Sequence, residues 1–132
     1  MVSGEWEVGS GSISIAPMKI QNFKDLIVWQ KAMDLAEETH HLSKTFPCNE
    51  LYGLTSQIRR AAVSVPSNIA EGQARNSAAQ FLQFLSISHG SREEVETQLL
   101  LALRFQYLDQ AQASRVLDLL EEVKRLLGES GK

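Results

Sequence analysis

The sequence predicts an all-α protein, an antiparallel up-down-up-down four-helix bundle. Two observations predict it. From Asn22 onward apolar residues recur at steps of three and four, and the links between the periodic stretches are short. At 132 residues and 14.7 kDa the chain fits one domain with enough apolar content to bury a core.

Residues 1–22 read as a flexible N-terminal extension. The segment GEWEVGSGSISIAP is rich in Gly and Ser, closes on Pro17, and lacks the basic start and apolar run of a secretory signal. Met18 is a candidate start for the functional domain. The bundle is placed at residues 23–128, followed by a short tail at 129–132.

In helix 1 Asn22 is positioned to cap, with Asp25 in the first turn. Leu26, Trp29, Met33, Ala36, His40 and Ser43 form one row; Val28, Ala32, Leu35, Thr39, Leu42 and Phe46 form a second. Two adjacent rows make a face wider than one core contact requires, so helix 1 is expected to touch neighbours on two sides. It ends at Phe46-Pro47, because the residue before a proline is pushed out of the α region.

Helix 2 is expected from about Asn49 to about Arg75. Pro66 interrupts its hydrogen bonding, since it has no N–H for the carbonyl of Ala62. The stripes on either side keep their register across it, which predicts a continuous helix kinked near Pro66, with Ser64 or Ser67 helping the freed groups. Asn76 or Ser77 can cap helix 3, whose inward side carries Phe81, Leu85, Ser88, Arg92, Val95, Leu99, Ala102 and Phe105 as far as Tyr107. Gly90 in mid-helix suggests a neighbour too close for a side chain. Asp109 is placed to cap helix 4, Ala113, Val116, Leu117, Leu120, Val123 and Leu127 form its apolar face, and Gly128 is placed to stop it.

Within helix 2, Gln57, Arg60, Ser64, Asn68 and Glu71 make a polar stripe beside the apolar one of Leu54, Ile58, Ala61, Val65, Ile69 and Gly72. A solvated face more often shows Lys and Glu. The seam is therefore read as polar groups aimed at partners in the fold, in an oligomer or on a ligand. The structural reading pairs Arg60 with Glu94 or Glu96 of helix 3, a planar guanidinium on a carboxylate, and lets Asn68 or Gln57 satisfy groups of a neighbour.

Charge argues against some functions. The formal net charge is −3, and Glu5 and Glu7 supply most of that imbalance, so the domain itself is close to neutral. That lacks the strongly basic footprint of a protein living on phosphate backbones. Arg59, Arg75, Lys124 and Arg125 are the candidate nucleic-acid contacts that remain. The lone Cys48 cannot form an intrachain disulfide or a thiolate metal site, and with no bilayer-length apolar run a cytoplasmic protein is expected. Glu37-x-x-His40 and Glu38-x-x-His41 have di-iron spacing, but Ser86 stands where His89 would need a glutamate, so neither metal nor cofactor is expected. Glu71, His89 and Glu94 are not made to converge by helical spacing, and no nucleophile or phosphate-loop pattern accompanies them. No enzymatic activity is expected.

The segments LIVWQKAMDLA, FPCNELYGLTSQIRRAAVSVPSNIAEGQAR and FLQFLSISHGSREEVETQL, with the Tyr107 region, resemble in order and spacing the four-helix bundle proteins encoded by intervening sequences of 23S ribosomal RNA genes. The resemblance runs from Phe23 to Leu127. It implies a ring-like homopentamer without established catalytic activity. The accessory variability proteins of diversity-generating retroelements look like relatives and act with nucleic acid and a reverse transcriptase, which makes nucleic acid the alternative partner.

Overall fold

The computed structural model describes residues 22–131, and these contain helices and turns but no strand. Of the extension expected over residues 1–22, all but Asn22 lies outside the described residues. The helices are α1 (Ile27–Ser43), α2 (Leu54–Ala74), α3 (Ala78–Arg104) and α4 (Gln110–Ser130). Their core is apolar throughout, from Val28, Ala32 and Leu35 on α1 to Val116, Leu120 and Val123 on α4.

Side-chain pairs give the directions. Gln57 meets Gln98, Ser64 meets Ser91, and a Cβ on Gly72 would meet Phe84, so α2 and α3 run in opposite senses. Arg92 reaches the carbonyl of Leu120 while Gly131 lies against Leu82, which sets α4 antiparallel to α3. Arg59 holds Ser43 at one end of the α1–α2 junction, and Trp29 and Ala70 line a groove at the other. α4 returns to pack on α1 and closes the bundle.

Several ends differ from the sequence reading, each for a local reason. Asn22 caps a 3-10 turn, Phe23–Asp25, by accepting from the Lys24 N–H at 2.9 Å; α1 starts only after Leu26, whose extended backbone (ψ 125°) breaks the two apart. A second 3-10 turn, Cys48–Glu50, replaces the expected first turn of helix 2, because the Gly53 backbone (φ −116°, ψ −112°) is not helical. Glu50 Oε1 then takes the free Leu54 N–H at 2.9 Å. α2 stays helical through Pro66 rather than breaking there. Beside the proline, Asn68 Nδ2 donates to the Ser64 carbonyl and Ser88 Oγ to that of Val65, both at 2.8 Å.

Asn76 at φ 60° ends α2 in the left-handed conformation that asparagine tolerates, leaving Ser77 to cap α3. α3 stops at Arg104, before Tyr107, because Gln106 turns left-handed at φ 64° and the Tyr107 N–H folds back to the Ala102 carbonyl at 3.0 Å. Phe105 therefore leaves the inward row and is 52% exposed. Gly90 has open space where its Cβ would lie; the close approach is at Gly72, whose Cβ would sit 2.6 Å from Phe84 Cβ. Gly128 does not stop α4, which runs on to Ser130, and Leu119 joins the buried face. Asp109 caps α4 as expected, with Gln112 completing a capping box.

Candidate functional site

The polar seam runs along the α2–α3 junction and is only partly what its spacing suggested. Ser64 Oγ meets Ser91 Oγ at 2.7 Å, Asn68 Nδ2 donates to Ser64 Oγ at 2.8 Å, and Gln98 Nε2 donates to Gln57 Oε1 at 3.4 Å. These three seam residues bind α3 or support a residue that does. Arg60 and Glu94 are not brought together: both are exposed, and Arg60 donates to Ser56 Oγ, one turn back, at 2.9 Å. A hydroxyl on its own helix satisfies the guanidinium without ordering a second long side chain. Glu71 likewise pairs locally, with Arg75 just past the end of α2, at 2.9 Å.

The buried cation is Arg92. Its side chain is 0% exposed, and it donates to the Leu120 carbonyl at 3.0 Å, Glu96 Oε1 at 2.7 Å and Glu93 Oε2 at 2.9 Å. Its hydrogen bond and charge hold the Glu93 carboxyl below the usual range. Nε stays buried without a partner. The signal was present in the sequence, since Arg92 stands in the inward row with Glu96 one turn on. Its role is to tie α3 to the backbone of α4.

The four candidate phosphate contacts do not converge. Arg59 donates through Nε to Ser43 Oγ at 2.7 Å, and Ser43 passes the bond to the His40 carbonyl at 2.8 Å, which ties α2 to the end of α1. Arg59, helped by burial and by Lys44, pushes the His40 pKa down. Arg75 is held by Glu71 and lies 5.1 Å over the Phe84 ring, and Arg125 is held by Glu129 at 3.1 Å. Lys124 borders a depression between α3 and α4 with His89, Leu85 and Leu127. Arg59 thus sits near the α1–α2 turn while the other three lie toward the opposite end. Among the described residues no His, Cys, Asp and Glu side chains group to hold a metal; Glu37 lies 3.9 Å from His41.

One of the open surfaces is apolar. A groove of about 610 Å³ between α1 and α2 is lined by Trp29, Met33, Ala36, Val63, Pro66 and Ala70. Trp29 and Ala36 belong to the first row of α1 and are half-buried, while Met33 is 44% and Val63 57% exposed. The second row, with Val28, Ala32 and Leu35, fills the core. Helix 1 touches α2 on one side and α4 on the other, and among the described residues its first row is left half-buried, with Met33 exposed. Glu37 and Ser67 mark the rim. Such a groove offers shape and apolar area, with Glu37 and Ser67 as its polar groups.

The model of the 23S rRNA-intervening sequence protein family matches residues 24–129. No curated protein matches. Among solved structures, a protein of unknown function from the S23 ribosomal protein family of Bacteroides thetaiotaomicron VPI-5482 is 28% identical, with a TM-score of 0.73. The similarity covers 80% of this chain and 99% of that one. No helix among the described residues is long and apolar enough to cross a membrane.

Proposed function

This chain belongs to the 23S rRNA-intervening sequence protein family, and we propose that it is a non-catalytic module that assembles with copies of itself in the cytoplasm. The observation that carries the reading is the open α1–α2 groove, where Met33 and Val63 stand exposed above half-buried Trp29 and Ala36. Apolar grooves with protruding side chains mark association surfaces, because covering them removes apolar area from water at about 25 cal/mol per Å². Repeated contacts between identical bundles close into a ring when the rotation between subunits allows. A ring of five is the number that the family resemblance implies. The dispersal of Arg59, Arg75, Lys124 and Arg125, two of them already neutralised by carboxylates, weighs against a nucleic-acid surface on the single bundle.

The test is light scattering at low micromolar concentration, with and without nuclease. A multiple of the 14.7 kDa chain mass that nuclease leaves unchanged is expected. The double variant Met33→Glu/Val63→Glu should return the mass to one chain while the helical signal stays intact, because both side chains already face solvent. A native protein with the mass of one chain overturns the reading, and a nuclease-sensitive assembly replaces it with a nucleic-acid role.

A further inference from the structure

We infer that the groove is filled by the outer edge of α3 from the next copy, so that contact joins two different faces and not a face to itself. The inference rests on the assembly reading and deepens it by naming the occupant. α3 carries a second uncovered apolar edge, beside its contact with α2: Ile87 is 47% and Leu101 39% exposed. Helical spacing places Glu94 between them on the same edge, and it too is exposed.

The heights of the two faces match. Ile87 adjoins Ser88, which bonds Val65, and Pro66 beside it lines the groove with Trp29 and Met33. Glu94 lies between Ser91 and Gln98, which pair with Ser64 and Gln57, and this puts it at the level of Arg59 and Ser43. Two bundles set side by side without axial shift therefore bring Ile87 to the apolar groove. The same placement brings Glu94 to the end of α1, where the cations Arg59 and Lys44 lie beside His40.

Charge complementarity thus agrees with the apolar match. The groups facing Glu94 would be Arg59 from α2 and His40 and Lys44 from α1, with the carboxylate of Glu37 on the groove rim. A face-to-face dimer would instead leave both α3 edges in water. The α1–α2 and α2–α3 sides are neighbouring sides of the bundle, so a contact between them turns each copy relative to the last and closes a small ring.

The test uses the full chain carrying Cys48→Ser to remove the native thiol. Under mild oxidation Val63→Cys together with Ile87→Cys should give a ladder of linked chains on a denaturing gel, whereas either substitution alone should give none. Separately, Glu94→Lys should weaken association by about tenfold or more, and Lys44→Glu added to it should restore most of the loss. Dimers from Val63→Cys alone, or an unlinked double variant whose mass is still that of an assembly, would overturn the inference and leave the assembly reading standing. A native protein with the mass of one chain would overturn both.

Discussion

α2 shows two faces that invert the usual association between polarity and exposure. Toward α3 it presents Gln57, Ser64 and Asn68, yet that junction is closed: hydroxyls meet at 2.7 Å, and Gly72 leaves no room for a Cβ against Phe84. Toward α1 it presents Val63, Pro66 and Ala70, and a groove stays open along the outside of that junction. Short polar side chains with defined partners let two backbones approach, because each hydrogen bond fixes one separation. Apolar side chains define no such distance, and here the groove between them is left for something else to fill. The closed face holds the bundle together; the open face is where its function is sought.

The rule that polar groups set the junction is tested most severely by Arg92, which joins α3 to α4. Arg92→Ala should cost about 3 kcal/mol, because the Leu120 carbonyl loses a donor and Glu93 and Glu96 lose the charge between them. Urea unfolding at fixed protein concentration measures it. The estimate sits at the low end for a buried pair because Glu93 is 49% and Glu96 27% exposed, so water takes part of the burden. A loss under about 1 kcal/mol would mean that the guanidinium is a passenger in the core.

Two glycines sharpen the contrast between closed and open surfaces, since the same substitution should have opposite signs. Gly72→Ala forces a Cβ to 2.6 Å from Phe84 Cβ, an atom next to the α3 backbone that cannot simply rotate away. Overpacking of that kind costs about 1–3 kcal/mol, of which helix propensity returns only about 1. Gly90→Ala meets nothing within 4 Å and should stabilise α3 by about 1 kcal/mol. Matched thermal melts decide it, and a stabilising Gly72→Ala would show that the two helices are free to move apart.

Most of the architecture was legible because the information is local. Helical period, Asp109, Ser77 and the proline in register placed four helices in order, and the double row of α1 foretold its contacts on two sides. What escaped the sequence depends on distance across the bundle. Spacing puts Arg60 and Glu94 on facing helices but cannot say that each lies on the outer lip, nor that Ser56 is nearer. Glycine has two uses, and nothing in the residues around Gly72 and Gly90 says which one abuts a neighbour. The groove needed Val63 from α2 beside Met33 from α1, a pairing that no single-helix pattern contains.

The smallest expected effect concerns the end of the bundle, where the α2–α3 closure is completed outside the helices. Tyr107, just past α3, donates its hydroxyl to Glu50 Oε2 at 2.6 Å, while Oε1 of the same carboxylate caps α2. The phenol bond, with the Leu54 N–H second, holds the Glu50 pKa below its ordinary 4.5, and Glu50 in turn raises that of Tyr107 above 10.0. A carboxyl lowered on folding contributes stability above its unfolded pKa and loses it as pH falls through the folded one. A phenol raised on folding contributes below its unfolded pKa and loses it as pH rises through the folded one. The contact should therefore be constant between those ordinary values and fade beyond both. Tyr107→Phe removes it while leaving the Glu50 cap and the ring contacts with Phe46 and Phe105 in place. The melting difference between native and variant protein should then be flat across neutral pH and shrink at both extremes. A difference that does not change with pH would place the value of Tyr107 in its ring alone, and the closure of this end would then be apolar, contrary to the rule drawn from α2.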